Sequence, residues 1–423
     1  MKILQLNYSD SQGGAARAAY RIHQALLQQG IDSSMWVKHT QTGDPTVQVP
    51  QSSWHQTFNR IRISQSNKLT KTLKTGNPVL HSPALFPSRW PQRINASDAD
   101  IINLHWINFE MLSIEDIARI VKPIVWTLHD MWAFCGAEHY TDEHRFRDGY
   151  SPDNRPFHES GLDLSRWVWN RKLKAWKHPI QIVTPSRWLA ECVKQSVLMH
   201  DWPVNVVPNA LDTAVWQPIE RHIARRLLGL HEDGPILIFG AMGGGNDPRK
   251  GADLLFDALN HLRGQILGLQ LLIFGERRPE KVPDISFPMH YLGHLHDDLS
   301  LNIAYSAADA MIVPSRQDNL PTTGVEALAC GTPVIAFDTC GLPDIVTHKQ
   351  NGWLAKAFDT EDLATGIQWV LENDDRRAAL SKQARADAVA KFSYPVVAKA
   401  YQTVYEQLLS QSASSRPEVY TSR

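Results

Sequence analysis

Hydrophobic positions along this chain switch between short apolar runs and stretches with apolar residues three or four apart. Residues 2–7 alternate apolar and polar side chains, which predicts a strand. The turn Gly13-Gly14 follows, and then Ile22, Ala25 and Leu26 share one face up to Gly30, which predicts a helix over 15–29. Residues 34–38, 100–105, 123–128, 180–183 and 204–207 read as further strands, with 114–120 an amphipathic connection. A Pro-bearing stretch, 208–218, reads as a linker, and the pattern then restarts. Strands are expected at 235–240, 269–275, 309–314 and 332–337, with helices at 252–262, 299–308 and from Glu361 onward. Strands alternating with helices indicate α/β architecture with doubly wound parallel sheets. Two Rossmann-like halves are expected, 1–208 and 209–395, facing a cleft where ligands bind at the strand C-termini. Residues 396–410 read as a crossover helix and 411–423 as a disordered tail.

At 423 residues the chain is long enough for two sizeable cores, and 43% apolar with 21% charged residues is an ordinary globular composition. A formal net charge of −1 gives no global attraction to nucleic acid, which is not expected as a partner. Four scattered cysteines, Cys135, Cys192, Cys330 and Cys340, form no CxxC pair and suggest neither a disulfide framework nor a thiolate metal site. The first ten residues read as a strand and not as a signal peptide, and no apolar run approaches the roughly 20 residues that span a bilayer. A cytoplasmic location is expected, with peripheral contact at the inner membrane face as a variant.

That variant comes from local charge. Residues 45–97 hold no acid but carry Arg60, Arg62, Lys68, Lys71, Lys74, Arg89 and Arg93. A second stretch, 166–177, interleaves cations with Trp167, Trp169 and Trp176. Either could meet an anionic membrane. The plainer alternative is an amphipathic helix with its aromatic face in the core and its lysines solvated.

The most informative string runs from Asp318 through Leu320, Pro321, Thr322, Thr323 and Gly324 to Glu326, ahead of a Gly-Thr-Pro stop and the strand 332–337. It predicts a loop opening a short helix over 322–330. Unpaired N–H groups and the partial positive charge at such an N-terminus favour a phosphate, and Gly324 would allow close approach. Flanking carboxylates can accept hydrogen bonds from sugar hydroxyls. Phosphate cradle plus hydroxyl acceptors describes a nucleotide-sugar site.

The string resembles the acid-to-glutamate signature of retaining glycosyltransferases of family 4, which have the GT-B architecture. The resemblance extends over roughly 1–405 through Gly13-Gly14, Leu128-His129-Asp130, Thr184-Pro185-Ser186-Arg187, Val207-Pro208-Asn209 and Arg249-Lys250-Gly251. It implies that Glu326 holds the nucleotide ribose, that Asp318 (in place of a glutamate) contacts the donor sugar, and that His129 lies near the reacting carbon. It also places Gly13 and Gly14 near donor phosphate. Arg249 and Lys250 precede a helix N-terminus, where cations are misplaced unless an anion joins them; a leaving diphosphate would be that anion. The family's further arginine position, after Gly240, is Ala241 here, for which Arg249 or Arg316 could compensate. His105 and Asp130 are candidates for acceptor contact, Asp130 alternatively orienting His129. No cofactor or metal is expected, since no Asp-x-Asp pair is placed to hold Mg²⁺ on phosphates. Cys135, His139, His144 and His158 read as scattered loop residues.

The expected activity is retaining, metal-independent transfer of a hexose from a UDP- or GDP-sugar to a hydroxyl of a glycan or glycolipid, in cell-surface polysaccharide biosynthesis. Two rivals remain: a nucleotide-sugar epimerase on the same fold, and a non-catalytic sugar-nucleotide-binding partner of a biosynthetic complex.

Overall fold

The computed structural model describes residues 1–50, 53–231, 233–240, 247–280 and 285–414, which contacts divide into two units, Met1–Val207 with Val397–Arg423, and Pro208–Val396. Among the described residues the first unit carries a seven-stranded parallel sheet. From one edge its strands are Val47–Gln48, Asp32–His39, Lys2–Ser9, Ile101–Leu104, Ile124–Thr127, Gln181–Thr184 and Val204–Val206. The inner strands are buried on both faces, as a sheet covered by helices on each side requires, with Gln5, Asn103 and Thr127 as polar side chains among the apolar ones. One cover is the helix Gly14–Gln28, which buries Ala18, Ile22, Ala25 and Leu26. From Val397 the chain rejoins this unit. There the helix Tyr394–Ser414 sets Tyr401 Oη 3.1 Å from Thr127 Oγ1 and lets Tyr405 Oη accept from Asn103 Nδ2 at 2.9 Å. The helical state extends to Ser414, past the point where a disordered tail was expected, while 415–423 lie outside the described residues.

The second unit carries a six-stranded parallel sheet in the order Met289–Gly293, Gln270–Phe274, Ile236–Gly240, Ala310–Val313, Val334–Phe337, Gly352–Ala355. Two of these strands, Met289–Gly293 and Gly352–Ala355, were not anticipated. Each sits at a sheet edge; the first is half-exposed throughout and holds a histidine and a glycine, so its apolar signal is weak. The stretch expected as a linker is packed. Trp216 is buried, Leu211 N–H donates to Phe392 O at 2.8 Å, and Asn302 donates to Val215 O at 3.1 Å.

The two basic stretches differ in outcome. Residues 166–177 form most of the helix Leu164–Ala175, which buries Val168 and Trp169, with Trp176 buried just beyond. This favours the core-facing alternative, with one correction: Lys172 is not solvated but fully buried. The 45–97 stretch contains the helices Ser53–Thr70 and Trp90–Ala96.

Candidate functional site

In the second unit, Ile236–Gly240 and Ala310–Val313 are hydrogen-bonded neighbours although two strands on one side separate them in chain order. Such a reversal opens a crevice beyond the strand C-termini. The loop leaving Val313 carries Asp318 and Leu320 into the helix Thr322–Ala329, whose cap residue Pro321 supplies no side-chain bond and whose first turn has no acid. Nothing on that turn therefore offsets the positive end of the helix.

Lys250 reaches this corner from 68 residues away. It ends the tight turn Pro248–Lys250, and Gly251 follows at φ 67°, where an added Cβ would stand 1.9 Å from Pro314 O. Backbone contact at Gly251 thus ties the turn to the loop, and Lys250 Nζ lies 2.6 Å from Asp318 Oδ2. The reasoning that these cations lack an anion is corrected by the structure. Arg249 pairs with Asp247 at 2.7 Å, and Arg316 pairs bidentately with Asp253 at 2.7 and 2.6 Å. Each cation has a carboxylate of its own, so the cluster is balanced before any ligand arrives. Ala241 and Gly243–Gly245 lie outside the described residues.

Gly324 sits in the first turn of the helix Thr322–Ala329. Its N–H donates to Pro321 O at 3.1 Å, and an added Cβ would meet Ile345 at 3.4 Å and Val313 at 3.7 Å. Both are ordinary contact distances, so the core does not itself demand a glycine here; with the Gly324 N–H given to Pro321 O, Thr322 and Thr323 are left as the cradle's leading N–H groups. Glu326, one turn on, is 1% exposed, and its Oε2 accepts from Tyr305 Oη at 3.0 Å. Burial pushes the thiol of neighbouring Cys330 up, and the Glu326 carboxylate adds to that shift. Leu320 O accepts from Asn209 Nδ2 at 3.4 Å, which joins the Val207-Pro208-Asn209 motif to the same loop.

The first unit gathers its candidates at the C-terminal ends of Ile101–Leu104 and Ile124–Thr127. His105 Nε2 lies 2.8 Å from Gln5 Oε1, and His105 Nδ1 lies 3.1 Å from His129 Nε2. Gln5 Oε1 can only accept, so His105 donates there and accepts from His129 at its other nitrogen. Burial holds the His129 imidazole down to about 4, against the pull of Asp130, and pushes His105 well below its usual value. Both rings are neutral at pH 7.

Asp130 does not orient His129. Its Oδ2 lies 2.6 Å from His139 Nδ1 and accepts from Trp106 Nε1 at 2.9 Å, while Oδ1 accepts from Trp132 N–H at 3.0 Å. Burial pushes this carboxyl up, but His139 and the donated bonds outweigh it and hold it below the usual carboxylate range. His139, expected as a scattered loop residue, is buried, with Nε2 2.8 Å from Ser82 Oγ. Cys135 is buried as well. Gly13, at φ 93°, opens the helix Gly14–Gln28 with nothing near its Cβ position, as is also true of Gly14.

Sequence reasoning missed His139 and Lys172. Lys172 lies beneath the loop after Asp130, its Nζ donating to the carbonyls of Trp132, Cys135 (3.0 Å) and Gly136 (2.7 Å) under the Trp132 ring. Its position four residues from Val168 and Trp176, on the apolar stripe, was the legible signal. An Asp-x-Asp string, Asp98-Ala99-Asp100, occurs before a strand instead of after one. Asp98 pairs with Lys2 Nζ at 2.5 Å, and Asp100 accepts from Lys2 N–H at 2.8 Å.

Family comparisons bear on both units. The description "Glycosyltransferase Family 4" matches residues 12–215, and "Glycosyl transferases group 1" matches 229–387. The chain belongs to glycosyltransferase family 4. Its two doubly wound units are those of the GT-B fold, as in structures to which this family 4 chain is similar. Sucrose-phosphate synthase from Thermosynechococcus elongatus matches with TM-score 0.64 at 17% identity, over 97% of this chain and 100% of that one. Anabaena Alr3699/HepE, in complex with UDP-glucose, matches with TM-score 0.60 at 17% identity, over 98% and 100%. Among curated relatives, D-inositol 3-phosphate glycosyltransferase of Xylanimonas cellulosilytica is 32% identical over 220 residues, 48% of this chain and 51% of the relative. That of Mycolicibacterium smegmatis is 31% identical, over 51% and 50%. The family 4 chain thus spans about half the length of the curated relatives it matches.

Proposed function

We propose that this protein transfers a hexose from a nucleoside-diphosphate sugar to a hydroxyl of a glycan or glycolipid acceptor, with retention at the anomeric carbon and without a metal. The observation that carries the reading is the 2.6 Å pairing of Lys250 with Asp318 beside the unbalanced N-terminus of Thr322–Ala329. It supports a diphosphate held by the Thr322 and Thr323 N–H groups, with Lys250 within reach of its charge. A ligand phosphate would compete for Lys250 and free Asp318 to accept from a sugar hydroxyl. Arg249 would turn from Asp247 in the same way. Glu326, whose Oε2 accepts from Tyr305 Oη, would take the ribose hydroxyls. Gly13-Gly14 and His129 follow strand C-terminal ends within the first unit.

In the reaction the bond from the anomeric carbon to the phosphate oxygen breaks and one to the acceptor oxygen forms on the same face. The acceptor proton passes to the departing phosphate oxygen. No protein base is required, and the protein contributes positioning and charge stabilisation. A role in cell-surface polysaccharide biosynthesis is part of the proposal. No described helix is long and apolar enough to cross a membrane.

The test is incubation with UDP-, GDP- and ADP-hexoses and a panel of glycan acceptors, with and without EDTA, reading nucleotide release and product configuration by NMR. Acceptor-dependent release, unaffected by EDTA and giving the donor's configuration, is expected. Inversion, loss of activity with EDTA, or isomerised donor without acceptor would defeat the reading.

A further inference from the structure

The helix Thr322–Ala329 is eight residues long, so its two ends stand about 12 Å apart and move as one short rod. Its first turn carries no acid, whereas its last turn is gripped by side chains from two other helices. Arg385, on the helix Asp374–Phe392, donates through Nη1 to Ala329 O at 2.9 Å and to Trp216 O at 2.6 Å, and through Nη2 to Thr213 O at 2.7 Å. Capping the helix alone would need only the first of these bonds. Asn302, on the helix Asp298–Ala307, repeats the arrangement: its Nδ2 donates to Val215 O at 3.1 Å, and its Oδ1 accepts from Cys330 Sγ at 3.1 Å. Gly331, at φ 73°, fits between the same partners, since an added Cβ would stand 3.0 Å from Ser381 Oγ and 3.3 Å from Pro218. At the opposite end, Asn209 Nδ2 donates to Leu320 O at 3.4 Å. One short stretch, 209–216, is thus joined to both ends of this helix, and it is where the chain passes from the first unit into the second.

We propose that Arg385, seconded by Asn302, is a positioning residue for the nucleotide donor, an inference that rests on the nucleotide-sugar reading of this helix. Arg385 fixes the last turn against 213–216, and the rigidity of the helix passes that setting to the Thr322 and Thr323 N–H groups. A displacement of about 1 Å there is enough to cost up to about 10²-fold in the chemistry it serves. The cation also complements the negative end of the helix, while the positive end stays open to an anion. Coupling of this kind is reciprocal. A diphosphate held at the first turn therefore steadies 209–216, and loosening 209–216 weakens the hold on the diphosphate.

The experiment is calorimetry, hydrogen exchange and donor kinetics on the full chain with UDP, GDP and ADP and the matching hexose donors. Wild type is compared with Arg385→Met, Arg385→Lys, Asn302→Ala and, as a control, Lys382→Met, a lysine exposed on the same helix as Arg385. Wild type is expected to bind at least one nucleotide and then to exchange more slowly at 209–216. Arg385→Met should weaken that nucleotide about tenfold and abolish the slowing at 209–216 even at saturation. Donor KM should rise about tenfold with kcat within about threefold of wild type. Arg385→Lys, which keeps a cation and its donors, should recover at least part of the lost affinity, and Lys382→Met should match wild type. Should Arg385→Met misfold, Asn302→Ala carries the same comparison, with a loss of about threefold or more. A lowered melting temperature in Arg385→Met with nucleotide affinity and exchange at 209–216 unchanged would leave the arginine a packing residue and overturn the proposal, as would an equal loss of affinity in Lys382→Met. A wild-type chain that binds none of the three nucleotides would instead overturn the donor reading itself, and the proposal with it.

Discussion

Replacing Lys250 by Met separates the structural from the functional share of its pairing with Asp318. Nζ and Oδ2 lie 2.6 Å apart, with 26% of the lysine side chain and 12% of the aspartate side chain exposed. Exposed pairs are worth about 0–1 kcal/mol, and breaking a fully buried pair costs about 3–5 kcal/mol. A half-buried pair falls between, at about 1–3 kcal/mol, because Asp318 keeps only a long contact with Ser315 Oγ at 3.5 Å. In a unit of this size that lowers the melting temperature by roughly 2–10 °C. Loss of a cation from a leaving group should cost about 10²–10³ in turnover. The double variant Lys250→Met with Asp318→Asn removes the orphaned charge and should recover stability to within about 1 kcal/mol of wild type, while transfer stays lost. Calorimetry and nucleotide-release kinetics on wild type, Lys250→Met, Asp318→Asn and the double variant give the answer. Transfer that returns together with stability in the double variant would mean that Lys250 merely neutralises Asp318, and the assignment would be refuted.

Other consequences can be checked separately. Burial lowers Lys172 to about 7, opposed by Cys135 and Glu138, against about 10.4 in the unfolded chain. Between those values the unfolded chain binds one more proton, so stability should climb with pH, by at most about 1.4 kcal/mol per pH unit. Lys172→Met should flatten that slope in denaturant titrations from pH 7 to 10, and an unaltered slope would contradict the assignment. Gly251→Ala forces a Cβ against Pro314 O at positive φ; a loss of about 3 kcal/mol or more, or insoluble protein, is expected, and a wild-type melting curve would show the turn is free to move. Tyr305→Phe takes a hydrogen bond from the Glu326 carboxylate and should cost about 1–3 kcal/mol while raising the donor KM more than it changes kcat. Equal loss in kcat and none in KM would argue against Glu326 holding the nucleotide.

What the sequence disclosed follows the reach of its signals. Inner strands such as Ile236–Gly240 and Val334–Phe337 are continuous apolar runs, and the helix Thr322–Ala329 has a Pro before it and a Gly-Thr-Pro stop after it, so these were legible. The two edge strands of the second unit were not: Met289–Gly293, for one, is half solvated, and no run of one residue type sets it apart. The chemistry divided along the same line. Asp318 and Lys250 carry local context, yet their pairing, like that of Arg249 with Asp247 and of Arg316 with Asp253, is a fact of side-chain direction that spacing does not encode. His139 owes its place beside Asp130 and Ser82 wholly to tertiary folding.

Hydrogen exchange read by mass spectrometry, on the chain with saturating UDP, GDP or ADP, tests most directly whether diphosphate binds at the opening of Thr322–Ala329. One of the three nucleotides is expected to slow exchange in the peptide covering 316–330, and in that containing Lys250, with Lys250→Met abolishing both effects. A nucleotide that binds but protects only segments elsewhere, or protection there that survives Lys250→Met undiminished, would contradict the account.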